Sequence, residues 1–166
     1  MKFEKVTVNQ WKSSVSEQDL GVTSEEEVVS IYEEIRLPKR ATELSAGYDF
    51  FAPFKICLKP GETLKVPTGI RVLLDDDKYL AIYPRSGQGF KYRLRINNTV
   101  GIIDADYSCS DNEGHIFIKL SNEGDKVVEI DKGISFAQGI ITQYFKVEDD
   151  ESTAKRNGGE GSTSRI

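Results

Sequence analysis

From Pro38 onward, turn-forming residues interrupt the chain at short intervals, and the apolar residues between them come in short runs or alternations. A chain punctuated in this way must bury its apolar side chains on short strands. Seven stretches read as strands: Leu64–Pro67, Ile70–Leu74, Tyr79–Tyr83, Arg93–Ile96, His115–Leu120, Val127–Ile130 and Phe136–Tyr144. In the fifth, strand alternation turns Ile116, Ile118 and Leu120 to one side and His115, Phe117 and Lys119 to the other. Pro60-Gly61, Asp75-Asp76-Asp77 and Asn122-Glu123-Gly124-Asp125 are turns. Short strands with close turns pack as a sandwich, barrel or jelly roll. The expectation is an all-β core over residues 38–147.

Both ends differ from this middle. Residues 1–37 are polar and acidic. Ser24 followed by Glu25, Glu26 and Glu27 reads as an N-cap with a capping-box carboxylate. Val28, Val29, Ile31, Tyr32 and Ile35 follow at roughly helical spacing, so a short amphipathic helix is expected, with another turn of helix around 10–15. Residues 148–166 hold almost no large apolar side chains and cannot bury enough surface to fold alone, so they read as a flexible arm.

The chain has 166 residues, enough for one domain with its own core. Its net charge of −5 gives no general field for nucleic acid, so no nucleic-acid partner is expected. Cys57 and Cys109 lie far apart and form no metal-binding pair, which fits a reducing cytoplasm. No run of about 18 apolar residues is present to span a membrane, and the first residues lack a secretory apolar stretch.

Five short segments carry polar groups suited to chemistry. In Ser45–Ala52, Gly47 permits a tight path and Asp49 could face a metal-bound water; alone, a strand start with a solvated Asp is the simpler reading. In Tyr83–Gly89, Arg85, Ser86 and Gly87 offer a cation, a hydroxyl and N–H groups that suit phosphate oxygens, or an ordinary surface loop. In Asn97–Tyr107, two apolar residues run into Asp104, Ala105, Asp106 and Tyr107. If the strand continues, Asp104 and Asp106 point to opposite faces and do not share a role; alone, a turn Asp and a half-buried core Tyr explain them. In Gly133–Ile140, Gln138 sits among apolar residues and needs a ligand or backbone partner. In Arg156–Thr163, glycines, an Arg and two hydroxyls have the composition of a phosphate cradle, which a loose terminus also has. His115 is the only histidine and reads as a surface or hydrogen-bonded residue rather than a catalyst. Any hydrolysis must then rest on a carboxylate and a metal.

Taken together, in order and spacing, these segments resemble the five motifs of the trimeric dUTPase family, over roughly residues 36–166. The resemblance implies a jelly-roll-like protomer, a homotrimer with shared active sites, dUTP as substrate and Mg²⁺ as cofactor. It makes Asp104 the general base and Tyr107 the residue packed on deoxyribose. Asn98 and main chain at Gly101 and Ile103 would bond the uracil edge in a closed hairpin that leaves no room for a thymine methyl. Asp49 would hold Mg²⁺ through water. Arg85, Ser86, Gly87 and Gln138 would bind phosphates. Arg156, Gly159, Glu160, Gly161, Ser162 and Thr163 would close over the site from a neighbouring subunit's tail. The N-terminal helical extension and the long tip Ser108–Gly114 are similar to a Firmicutes or phage branch.

Two positions depart from the family pattern. Glu160 stands where the family usually carries an aromatic ring over the base, a stack worth about 1–3 kcal/mol. A carboxylate about 8 Å from a phosphate charge adds roughly 2 kcal/mol of repulsion. Ser135 stands where an Arg is frequent. A dUTPase with intact chemistry and a weakened lid is expected, with a nucleotide-binding or regulatory protein as the alternative. A dCTP deaminase of similar fold would need a Glu near Ile118-Lys119, where none occurs.

Overall fold

A computed structural model describes residues 1–18, 24–154, 156 and 158. Twelve strands are present: β1 (Lys2–Lys5), β2 (Lys39–Arg40), β3 (Tyr48–Phe51), β4 (Ile56–Leu58), β5 (Thr63–Pro67), β6 (Ile70–Leu73), β7 (Lys78–Pro84), β8 (Leu94–Ile96), β9 (Gly101–Ile103), β10 (Phe117–Asn122), β11 (Val128–Ile130) and β12 (Ser135–Gln143). The largest sheet runs β2-β3-β12-β7-β9, a second runs β5-β10-β8, and β4-β11 and β1-β6 form ribbons. Every described pairing is antiparallel. The fold is all-β and jelly-roll-like, with helices at the margins.

Each of the seven expected strands is present, with ends moved by one or two residues. The alternation in β10 holds for Ile118 and Leu120, which are buried while Lys119 is exposed. It fails at His115. That residue lies in the turn before β10 and is fully buried. Strands β1, β2, β3, β4 and β9, each two to four residues long, went without an expected boundary, whereas β6, β8 and β11 of similar length were expected. In strands this short, pairing partners weigh as much as local pattern in deciding conformation.

The N-terminal segment opens on a strand, where helix alone was expected. β1 pairs with β6, matching Phe3 to Val72. Two helices follow. In α1 (Val8–Ser16), the Thr7 hydroxyl caps the Gln10 N–H. In α2 (Glu25–Glu34), the Ser24 hydroxyl caps the Glu27 N–H, and three glutamates occupy the first turn, where the helix dipole favours them. Trp11 Nε1 donates to the Val28 carbonyl at 2.9 Å and joins the helices. Trp11, Val15, Ile31 and Ile35 are buried in the same apolar cluster as Phe50, Leu80 and Phe136 of the main sheet.

Candidate active site

The expected motif residues fall into two separate groups. The first surrounds a cavity of about 460 Å³. Its walls come from β8 and β9, which end two different sheets: among the described residues β8 pairs only β10 and β9 pairs only β7. The chain crosses between them at a turn through Asn98 and Thr99, where Thr99 takes φ 70°. The closed hairpin expected here is therefore splayed. Its two strands are edge strands that face each other without a shared ladder among the described residues, and edge strands leave main-chain donors and acceptors available. Asn98, Gly101, Ile103, Asp104 and Tyr107 all border the cavity, with Ile82, Ile96 and Ile118 giving it apolar walls.

Asp104 does not continue the strand. It takes φ −73° and ψ 159° and leads into a 3-10 turn, Ala105–Cys109, without a capping bond from its side chain. That turn corrects the opposite-face expectation for the two aspartates. Arg156 Nη2 reaches Asp104 Oδ2 at 2.6 Å, and Arg156 Nε reaches Asp106 Oδ1 at 2.8 Å. The guanidinium carbon also lies 5.5 Å from the centre of the Tyr107 ring. The Arg156 side chain is 14% exposed, against 53% for Asp104, so the guanidinium is largely buried while the carboxylate stays half-open. Asp104 is the one carboxylate among the described lining residues. Tyr107 is buried, its hydroxyl donating to the His115 carbonyl at 3.1 Å and accepting from Asn112 Nδ2 at 3.0 Å.

The second group lies across the large sheet. Gln138, in the middle of β12, is in register with Asp49 of β3 on one side and Tyr83 of β7 on the other. Gln138 Nε2 donates to the Pro84 carbonyl at 3.1 Å, the backbone partner open in the sequence. Gly47 has no side chain because a Cβ there would collide with the Gln138 amide oxygen. Arg85 forms an ion pair with Asp49, whose side chain is 13% exposed. Ser86 and Gly87 do not form a loop. They open a helix, α3 (Ser86–Tyr92), that ends where Arg93 turns left-handed at φ 54°. Two glycines make this a poor helix sequence, and a tertiary tether overrides that weakness: Gln88 Nε2 donates to the Ser135 carbonyl at 2.9 Å. The exposed Ser86 and Gly87 thus present first-turn N–H groups.

The groups lie far apart in one chain. Asp104 follows Ile103, which pairs with Leu80, whereas Asp49 is level with Tyr83. Three strand spacings across and four residues along give about 20 Å over the sheet surface. Gly159, Glu160, Gly161, Ser162 and Thr163 lie outside the described residues.

Among the cavity residues that were not expected, Lys65, Phe117 and Lys119 share one wall because β5 and β10 pair Lys65 with Lys119 and Pro67 with Phe117. Lys65 Nζ sits 4.3 Å from the Phe117 ring centre. Sequence spacing carries no signal of that register. Asp106 was likewise passed over, for want of its shared arginine.

For a divalent cation, no group of three His, Cys, Asp or Glu side chains converges among the described residues. Asp49, with an arginine on one oxygen, fits a Mg²⁺ that arrives on a ligand's own phosphate oxygens and needs few protein donors.

The dUTPase family model matches residues 33–164. The deoxyuridine 5'-triphosphate nucleotidohydrolase of Lactococcus lactis is 41% identical over 142 residues, covering 82% of this chain and 95% of the relative. That of Rickettsia felis is 40% identical, covering 76% and 87%. Among solved structures, the dUTPase of Streptococcus mutans superposes with a TM-score of 0.67 at 29% identity, covering 89% of this chain and 99% of the other. The chain belongs to the dUTPase family.

Proposed function

We propose that this protein hydrolyses dUTP to dUMP and pyrophosphate. The observation that carries the reading is the convergence of Asp104, Tyr107 and two facing strand edges on one cavity. Main-chain groups along β8 and β9, with Asn98, are suited to pair with the donor and acceptor edge of uracil. Tyr107 packs on the deoxyribose and excludes a 2′-hydroxyl. Asp104 takes a proton from water as the water oxygen bonds to the α-phosphorus; the bond to the bridging oxygen breaks and pyrophosphate leaves. Arg85, Gln138 and the Ser86 and Gly87 N–H groups stabilise the charge that develops on the leaving group. Asp49 would hold, through water, a Mg²⁺ carried on the phosphates, which would supply further charge neutralisation.

A separation of about 20 Å over the sheet exceeds what one triphosphate bridges, so the two groups serve different nucleotides unless copies associate. We therefore infer a homotrimer in which each site joins the Asp104 group of one copy to the Arg85 group of another. Exposed Ile102, Phe145 and Val147 suit burial against such a copy. The tail from Arg156 to Thr163 closes over the phosphates and excludes water, weakened by Glu160 in place of a stacking ring.

Glu160 also favours a second reading, a dUTPase-like nucleotide-binding protein without turnover. Pyrophosphate release from dUTP with Mg²⁺, against dCTP, dTTP and UTP, separates the two. Release from dUTP alone, abolished in Asp104→Asn, supports the enzyme. Binding of dUTP without release supports the second reading, and a gain on Glu160→Phe would locate the defect in the lid.

A further inference from the structure

His115 is fully buried, lies outside the cavity lining, and is bonded at both ring nitrogens. The Gly69 N–H donates to Nε2 at 2.8 Å, so Nε2 is the unprotonated nitrogen. Nδ1 then carries the hydrogen and donates to the Ser14 hydroxyl of α1 at 2.8 Å. The ring is packed between Trp11 and Phe117, with centroids at 6.2 and 4.4 Å. Two residues earlier, Glu113 accepts from the Thr7 N–H at 2.8 Å and from the Thr7 hydroxyl at 2.6 Å, at the start of the same helix. One helix therefore grips both ends of the sequence Glu113-Gly114-His115.

That sequence is also what holds Tyr107. The His115 carbonyl accepts from the Tyr107 hydroxyl, and Asn112, which donates to the same hydroxyl, accepts from the Gly114 N–H at 3.1 Å. Glu113 and Gly114 both take positive φ, 59° and 73°. A Cβ on Gly114 would come within 2.6 Å of the Ser108 backbone, so the tip folds flat against the turn that carries Tyr107. Left-handed backbone at a non-glycine residue persists only when its surroundings impose it. The tip's own bonds, Glu113 N–H to the Ser110 carbonyl at 2.8 Å and His115 N–H to the Asn112 carbonyl at 3.0 Å, shape that backbone, and Thr7 and Ser14 anchor it from outside the tip. Both anchors lie before residue 33, where the family match begins.

We propose that α1 and His115 form a brace that fixes Tyr107 at the sugar side of the cavity, making the N-terminal segment a specificity element of the active site. The inference rests on the assignment of Tyr107 to the deoxyribose. His115, Ser14 and Glu113 are positioning residues: none borders the cavity, and each acts through the tip. Loosening the brace lets the tyrosine shift and admit a 2′-hydroxyl, so discrimination falls before chemistry does.

The test compares kcat and KM for dUTP and for UTP, with Tm, in the full-length protein and in Ser14→Ala, Glu113→Ala and Glu113→Gln. Val128→Ala, in the β4–β11 ribbon, serves as a destabilised control. Turnover of dUTP by the unaltered protein must be present; its absence would overturn the proposed function. Given that turnover, Ser14→Ala and Glu113→Ala should each lower the dUTP-to-UTP ratio of kcat/KM about tenfold, chiefly through a lower KM for UTP as the shifted ring admits its 2′-hydroxyl, a size expected for sub-ångström misplacement. Glu113→Gln, which keeps an acceptor, should fall between, and Val128→Ala should lower Tm at unchanged selectivity. An unchanged ratio in Ser14→Ala, which removes a single hydroxyl, overturns the brace. So does an equal loss of selectivity in the control.

Discussion

The two halves of the site are built by different physics. The half around Asp104 and Tyr107 is made by packing: two strand edges held apart, apolar walls, and a tyrosine whose hydroxyl is bonded inside the protein. The half around Arg85 and Gln138 is made by register: one central strand aligns its neighbours, and charge is left partly exposed at the sheet end. On the proposed function, the division follows the ligand: a base and a sugar are told apart by shape and by polar edges, whereas phosphate oxygens look alike and need only cations and N–H groups.

Substitutions should respect this division. The largest effect is expected at the base. Asp104→Asn should lower kcat about 10³-fold while dUTP binding, read by calorimetry, stays within a few-fold of normal. Loss of binding instead would give Asp104 a structural role.

Acid should act on the packed half. Burial pushes His115 down to about 4, with Glu113 opposing the fall and Lys65 adding to it. Between pH 6.5 and 4 the unfolded chain binds a proton that the native imidazole refuses. Native stability is thus lost as pH falls through that window, by about 3 kcal/mol, and this group contributes no slope above it. Burial also acts to raise the Glu113 pKa, but the hydrogen bonds from Thr7 outweigh it and leave it lowered, which adds to the loss at the acid end. Urea unfolding across the window should show this slope, and His115→Asn should flatten it.

The register half should respond to charge. Arg85→Ala should raise KM for dUTP about 10- to 100-fold, and the effect should shrink with added salt, unlike that of Tyr107→Ala. Smallest of all, Ser24→Ala should cost about 1 kcal/mol of stability through its lost cap and leave both kinetic constants unchanged. A change in KM there would mean that α2 reaches the site.

What the sequence made legible follows from the same division. Strands long enough to show alternation, and the Ser24 cap, could be read locally. The proposed roles at 49, 85, 104, 107 and 138 came only from the resemblance of five ordered segments to a family; each segment alone had a plainer reading. Long-range pairing was not legible. Nothing in the spacing reveals that β8 and β9 belong to different sheets, that Lys65 faces Lys119, or that Asp104 and Asp106 meet one arginine. His115 was read from its neighbours as part of a strand, when the residues that decide its state are Ser14 and Gly69, far away in the chain.

The central claim is that a working site takes its halves from different copies. It is tested most directly by mixing two impaired proteins, Asp104→Asn and the Arg85→Ala/Gln138→Ala double variant, after unfolding and refolding them together at equal concentration and assaying at dUTP well below the raised KM of the double variant. Shared sites predict that pyrophosphate release from dUTP rises well above the sum of the separate activities, toward about a quarter of the unaltered rate, since random association completes about one site in four. Release that stays at the sum would contradict the account and place both halves of each site within a single chain.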